Sequence, residues 1–217
     1  MLTRDSIKLY SVPPIWTEDT FVILGCGPSL SEKQINHIQG NARVIAVNAS
    51  YLMAPWADVL YATDAAFWRH YADELPEYCG VRIGLAWDTE NDKQFYQYHK
   101  VDPAKVRFMQ CTGELGLEDD RTALRHGNNS GYAAINLAVH LGAKRIVLLG
   151  YDMQSVDGQN SFPGYSPARS IPDRYEHMLK SFDSLLEPLE ALEIKVFNAT
   201  PDSALDSFPH VDIMEVV

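Results

Sequence analysis

The apolar positions of this chain fall into two alternating rhythms. Short branched runs at 20–24, 43–47, 57–62, 81–86, 105–109, 145–149 and 194–197 read as strands covered on both faces, several of them ending at Gly, Asn or Thr. Between them the spacing turns helical over 65–75 and 130–141. It does so again from Asp173 onward through Met178, Phe182, Leu185, Leu189 and Leu192, with a kink or break predicted at Pro188. Strands that alternate with helices predict an α/β fold, a mostly parallel sheet with helices on both faces. Residues 1–19 hold Pro13, Pro14 and little periodicity and read as an N-terminal arm, leaving 20–217 as a single domain. The polar, aromatic segment 87–102 predicts a short helix and connector, and 110–127 an acidic, solvated loop. The Gly-, Pro- and Ser-rich stretch after Asp152 predicts a flexible lid at 154–172, where Tyr165 and Arg169 can reach a phosphate.

One stretch, 128–152, organises the rest. Ala133, Ala134, Leu137, Ala138 and Leu141 lie on one face of an amphipathic helix whose small residues allow close approach to a sheet. Asn129 or Ser130 suits its N-cap and Gly142 its stop. A buried strand follows directly and ends in Gly150 and Asp152. The helix start offers backbone N–H groups and the positive end of a dipole beside Ser130 and Gly131, so it can hold an anion.

Composition narrows the partners. A formal net charge of −11 opposes binding to a nucleic-acid polymer through its phosphates, but leaves room for a small phosphorylated ligand that needs only local donors. No apolar run approaches the ~20 residues of a membrane span. The first residues show no apolar export signal, and Cys26, Cys79 and Cys111 have no metal-like spacing, so reduced thiols and a cytoplasmic location are expected. Nothing in the sequence fixes an oligomeric state.

Candidate chemistry gathers where strands end. The first strand runs into Gly25-Cys26-Gly27-Pro28-Ser29-Leu30, whose glycines permit a sharp turn and close approach to a phosphate or ribose. The third glycine of a dinucleotide fingerprint is replaced by Leu30, and Pro28 removes an amide donor. Asn48 closes the second strand where a dinucleotide enzyme would place an acid, which argues against NAD and suits a hydrogen bond to a base or sugar. Asp64, Asp152 and Asn198 close three more strands. In a parallel sheet these carboxyl ends share one rim, so the residues together predict a nucleotide-sized site. His177, on the last long helix, and His126, beside the anion-binding helix start, are the histidines placed to move a proton near pH 7.

On GCGPSL, VIAVNASYLMAPWADVLYATD, NSGYAAINLAVHLGAKRIVLLGYDM and VFNATPDSALDSFP the chain resembles an uncharacterised family common in bacteriophages and prophages. That family is similar to the 6-hydroxymethylpterin diphosphokinase-like proteins and, more distantly, to bacterial sialyltransferases that use a CMP-linked donor. The resemblance implies a Rossmann-like nucleotide-binding fold with Gly25, Gly27, Pro28, Ser29, Asn48 and Asn129 near the nucleotide, and with Ser130 and Gly131 near the phosphates. Asp64 and Asp152 lie at the same rim. By likeness to the sialyltransferases, His177 is the expected general base on an acceptor hydroxyl, and Tyr165 the lid tyrosine that holds the leaving phosphate. Those transferases carry Asn where this chain has Cys26. The expected activity is glycosyl transfer from a nucleotide-linked sugar with no metal. The alternatives are a pyrophosphokinase, with Asp64 and Asp152 holding Mg²⁺, and a non-catalytic ligand-binding or interaction protein.

Overall fold

The computed structural model describes residues 9–71, 75, 78–87, 105–165 and 175–217. Eight strands form one sheet: β1 (Thr20–Leu24), β2 (Arg43–Val47), β3 (Val59–Ala62), β4 (Val81–Trp87), β5 (Arg107–Gly113), β6 (Ala123–Arg125), β7 (Arg145–Leu149) and β8 (Lys195–Asn198). Their order is β6-β5-β4-β3-β2-β1-β7-β8, and every neighbouring pair is parallel. The chain steps outward from β1 to β6, then returns to lay β7 on the other side of β1. The switch in strand order therefore falls between β1 and β7, where ligands of open parallel sheets bind.

Period-two alternation divides the core into two layers. Phe21, Ile23, Ile45, Tyr61, Leu85, Ile146 and Leu148 face α3 (Ser130–Leu141), α4 (Tyr175–Phe182) and α5 (Leu186–Ala191). Val22, Leu24, Val44, Leu60, Val147 and Leu149 face α1 (Glu32–Ile38), α2 (Ala65–Tyr71) and the short α6 (Ile213–Val216). Burying a Leu, Ile or Phe side chain is worth about 1.5–3 kcal/mol, so both faces of the sheet contribute strongly. The N-terminal segment docks on the sheet, with Tyr10 N–H donating to Phe108 O, Val12 N–H donating to Arg121 O, and Val12 fully buried. None of the described helices is long and apolar enough to cross a membrane.

Two expectations change and a third is met. The α3 helix is buried nearly all round rather than amphipathic, with Tyr132 meeting Phe182 of α4 at 5.6 Å. Asn136 and His140 are buried in it, satisfied by the Glu118 N–H and the Ala123 carbonyl. The acidic region 110–127 is not all loop, since β5 extends to Gly113 and Ala123–Arg125 adds an edge strand. The last long helix breaks just ahead of Pro188, as that proline predicts. A proline ring clashes with the carbonyl four residues earlier, here Ser184, and that residue lies in a 3-10 turn (Asp183–Leu185) which leaves Pro188 in the first turn of α5. The connector from 88 to 102, and the lid from 166 to 172 with Arg169, lie outside the described residues.

Candidate functional site

The glycine turn after β1 is built by residues more than a hundred positions later. Gly25 N–H donates to Leu149 O at 2.8 Å and Gly27 N–H to Gly150 O at 2.9 Å. The Asp152 carboxylate accepts from Ser29 N–H at 3.1 Å and from the Ser29 hydroxyl at 2.9 Å. A Cβ on Gly27 would overlap that carboxylate, and one on Gly25 would overlap the Gly150 carbonyl. These glycines make room for the chain beyond β7, and with it fix the turn. Burial pushes the Asp152 carboxyl above its ordinary range, and the two Ser29 bonds pull it back. Asp152 is a brace for the turn.

The second corner is the start of α3. Asn129 is its N-cap: its side-chain oxygen accepts from Gly131 N–H at 2.6 Å and Tyr132 N–H at 3.4 Å. The cap takes two amides that an anion would otherwise use. Ser130 Oγ accepts from Thr63 N–H at 3.3 Å, which ties this helix start to the end of β3. Tyr151 joins both corners. Its hydroxyl donates to Gly131 O at 3.1 Å, and its buried ring lies where a Cβ on Gly25 or Gly131 would come within 3.1 Å or 2.7 Å. Only glycine at both positions lets the two backbones close on one ring.

With Tyr151 filling the space between, the half-exposed rim above it comprises Cys26 to Ser29, Asn48, Thr63, Asn129 and Ser130. Asn48 has a left-handed backbone, φ 52°, and its side-chain amide has no partner among the described residues. The bend is held by Ser50, whose hydroxyl donates to Leu24 O at 2.8 Å and accepts from Val47 N–H at 2.9 Å. Cys26 donates its thiol to Val47 O at 3.2 Å, and burial pushes its pKa up to about 12, so it stays a thiol. Asp64 accepts from Ala66 N–H at 2.7 Å and caps α2. Asn198 is not at the rim: it is fully buried, giving its amide to Leu205 O and accepting from Thr200 N–H. Thr200 and Ser203 from the same loop bind the Tyr151 backbone.

Tyr165 and His177 approach from opposite faces. On the α1/α2 side, Phe162 N–H donates to Cys26 O at 3.1 Å and the Tyr165 ring stacks on Phe162 at 5.5 Å, so the start of the predicted lid rests on the glycine turn. Burial holds the Tyr165 hydroxyl protonated, well above its usual pKa. On the α4 side, His177 Nε2 lies 3.2 Å from Glu114 Oε1 and 2.9 Å from Asn128 Nδ2, just before the α3 cap. His126 accepts the Asn128 N–H on Nδ1 at 3.0 Å and packs on Trp87 at 4.6 Å. Partial burial lowers its pKa, so it is neutral at pH 7. Among the described residues no group of three or more His, Cys, Asp or Glu is arranged to hold a metal ion. Tyr151, Thr63, Glu114 and Asn128 are the site residues that the sequence did not single out.

Fold and rim define a Rossmann-like α/β protein with its polar residues at the strand-order switch. The same fold is found in a sialyltransferase, CstII from Campylobacter jejuni, solved in complex with a substrate analogue, cytidine-5'-monophosphate. The TM-score is 0.50 and the identity 18%, over 92% of this chain and 87% of that one. At that identity the likeness is one of fold. No protein-family model matches the chain, and no curated protein matches its sequence.

Proposed function

We propose that this chain is a nucleotide-binding transferase, a cytoplasmic glycosyltransferase that moves a sugar from a nucleotide-linked donor to an acceptor hydroxyl without a metal. The observation that carries this reading is the meeting of two corners: the start of α3 touches the end of β3 through Ser130 and Thr63, and the glycine turn through Tyr151. His177 and Asn128, the residue before the α3 cap, meet on the same Glu114 carboxylate oxygen. In this reading the free amide of Asn48 binds the nucleotide's base or ribose, and Ser130 with the helix dipole faces its phosphate. The CstII structure, with cytidine-5'-monophosphate as its substrate analogue, supports a cytidine nucleotide as the first donor to try.

The chemistry then needs two groups. His177 takes the proton of the acceptor hydroxyl as its oxygen bonds to the anomeric carbon, and the bond from that carbon to the phosphate oxygen breaks. Tyr165, held protonated by burial, donates a hydrogen bond to the departing phosphate. The pyrophosphokinase alternative asks Asp64 and Asp152 to hold Mg²⁺, but one caps α2 and the other braces Ser29, so the residues present fit that role poorly.

Titration calorimetry with CMP, UMP, GDP and their sugar conjugates tests the reading. Binding of at least one between micromolar and millimolar is expected. Absence of binding across the whole set defeats it. With a binding donor in hand, His177→Ala is expected to leave donor affinity within about twofold and to slow transfer by about 10²–10⁴.

A further inference from the structure

Glu114, Asn128 and His177 come from three separate parts of the chain and converge on one oxygen. Asn128 Nδ2 donates to Glu114 Oε1 at 2.6 Å, and His177 Nε2 lies 3.2 Å from the same atom. The frame behind them is rigid. His126 N–H donates to Gly113 O at 3.0 Å and Gly127 N–H to Glu114 O at 2.8 Å, which zips the end of β5 to the turn before α3. Asn128 is held left-handed, φ 54°, at the tip of that turn. The Met178 sulfur, 3.5 Å from Asn129 Nδ2, brings α4 against it.

These distances favour one tautomer. With the proton on Nδ1, Nε2 could accept from Asn128 Nδ2 at 2.9 Å, but it would turn its lone pair toward a carboxylate oxygen that already carries negative charge, and seen from Nδ2 the two acceptors stand too close together for both amide hydrogens to point at them. With the proton on Nε2, two N–H groups converge on that oxygen instead, the arrangement a carboxylate satisfies readily. Nδ1 is then the nitrogen with the free lone pair.

We propose that Glu114 is a positioning residue that fixes His177 as the Nε2–H tautomer, leaving Nδ1 to receive the acceptor's proton. The step in which Nδ1 acts rests on the transferase reading; the tautomer does not. When Nδ1 takes the proton, the acceptor oxygen keeps the electron pair that forms the new bond to the anomeric carbon, and the nucleotide phosphate leaves with the pair from the old one. Glu114 faces the imidazolium that forms. The pair is exposed, with His177 at 65% and Glu114 at 41% side-chain exposure, so its contribution to stability is small and its consequence is orientation.

The test has two readouts. Nitrogen-15 NMR of the free protein, with the His177 signal assigned by its loss in His177→Gln, reports which ring nitrogen carries the proton. The wild type is expected as Nε2–H, Glu114→Ala as a mixture of tautomers, and Glu114→Gln as Nε2–H, because its amide oxygen still accepts. Release of CMP from a CMP-linked sialic acid is the second readout. Glu114→Ala is expected to lower kcat about tenfold with KM for the donor unchanged, a fraction of what a positioned base supplies, and Glu114→Gln to recover most of the loss. A wild-type proton on Nδ1, a tautomer unchanged in Glu114→Ala, or equal kcat in wild type and Glu114→Ala overturns the proposal. Where the wild type releases no CMP, the donor reading fails and the tautomer still decides the role of Glu114.

Discussion

Ser29 and Asp152 are bound to each other twice, backbone to carboxylate and hydroxyl to carboxylate, across 123 positions of sequence. This pairing locks the turn after β1 to the chain leaving β7, the two strands between which strand order reverses. Asp152→Ala leaves a backbone N–H and a hydroxyl without their acceptor, and is expected to cost about 1–3 kcal/mol in chemical denaturation. Asp152→Asn is expected to cost less, because burial already disfavours the charge and the amide oxygen keeps one bond. Gly27→Ala is expected to match Asp152→Ala, since its new methyl occupies the space of the carboxylate. A Gly27→Ala protein as stable as wild type would mean the brace is not built as described.

Much of this architecture is legible in the sequence, and what is not has a physical reason. The strands at 20–24, 43–47 and 145–149 and the helix at 130–141 are found at their expected places because apolar period and turn residues are local signals. Strand β6 is three residues long and follows Glu118, Asp119 and Asp120, so its hydropathy gives no run to notice. Gly25 and Gly27 stand out in the sequence as a ligand turn. What fills the space beside them is Gly150 and Asp152, which no window of neighbouring residues can contain. The same holds for Glu114 and His177, 63 residues apart: one reads as a solvated acid, the other as a lone histidine, and only the fold makes them a pair.

Asn48 should separate binding from folding. At φ 52° Asn is tolerated and Gly more so, while Ala is strained. Asn48→Gly is therefore expected to hold stability within about 1 kcal/mol of wild type. The amide has no protein partner among the described residues, so its loss falls on the ligand: an affinity drop of about tenfold, near the energy of one hydrogen bond. Calorimetry with the nucleotide that wild type binds would show this, and unchanged affinity would remove Asn48 from the site.

His140 makes stability fall in mild acid. Its Nε2–H donates to the Ala123 carbonyl at 3.1 Å, and burial, helped by Arg121, lowers its pKa below the ordinary 6.5. The bond to Ala123, and after it Glu118 and Asp119, oppose that shift without reversing it. The folded state thus refuses a proton that the unfolded chain accepts. Stability is complete above about 6.5 and declines as pH falls toward the depressed folded value. His126, also lowered by burial, adds in the same direction. Urea titrations at about pH 7.5 and 5.5 should show a loss of stability that is smaller in His140→Gln, which keeps an N–H donor and cannot titrate. An equal loss in both proteins would place the acid sensitivity elsewhere.

Asn129 allows the helix cap and the ligand to be told apart, because the two ask different things of the same side chain. As a cap it needs only an oxygen that accepts from Gly131 and Tyr132 N–H, and Asp or Ser supplies one as well. Asn129→Ala is therefore expected to cost about 1 kcal/mol, while Asn129→Asp and Asn129→Ser stay close to wild type. A phosphate at this helix start would feel the substitutions differently. Asn129→Asp places a negative charge against it where Asn129→Ser does not, so the Asp variant should fold normally yet bind the nucleotide at least tenfold more weakly, with the deficit shrinking as salt screens the repulsion. If Asn129→Asp and Asn129→Ser bind equally well, the anion does not sit at the start of α3.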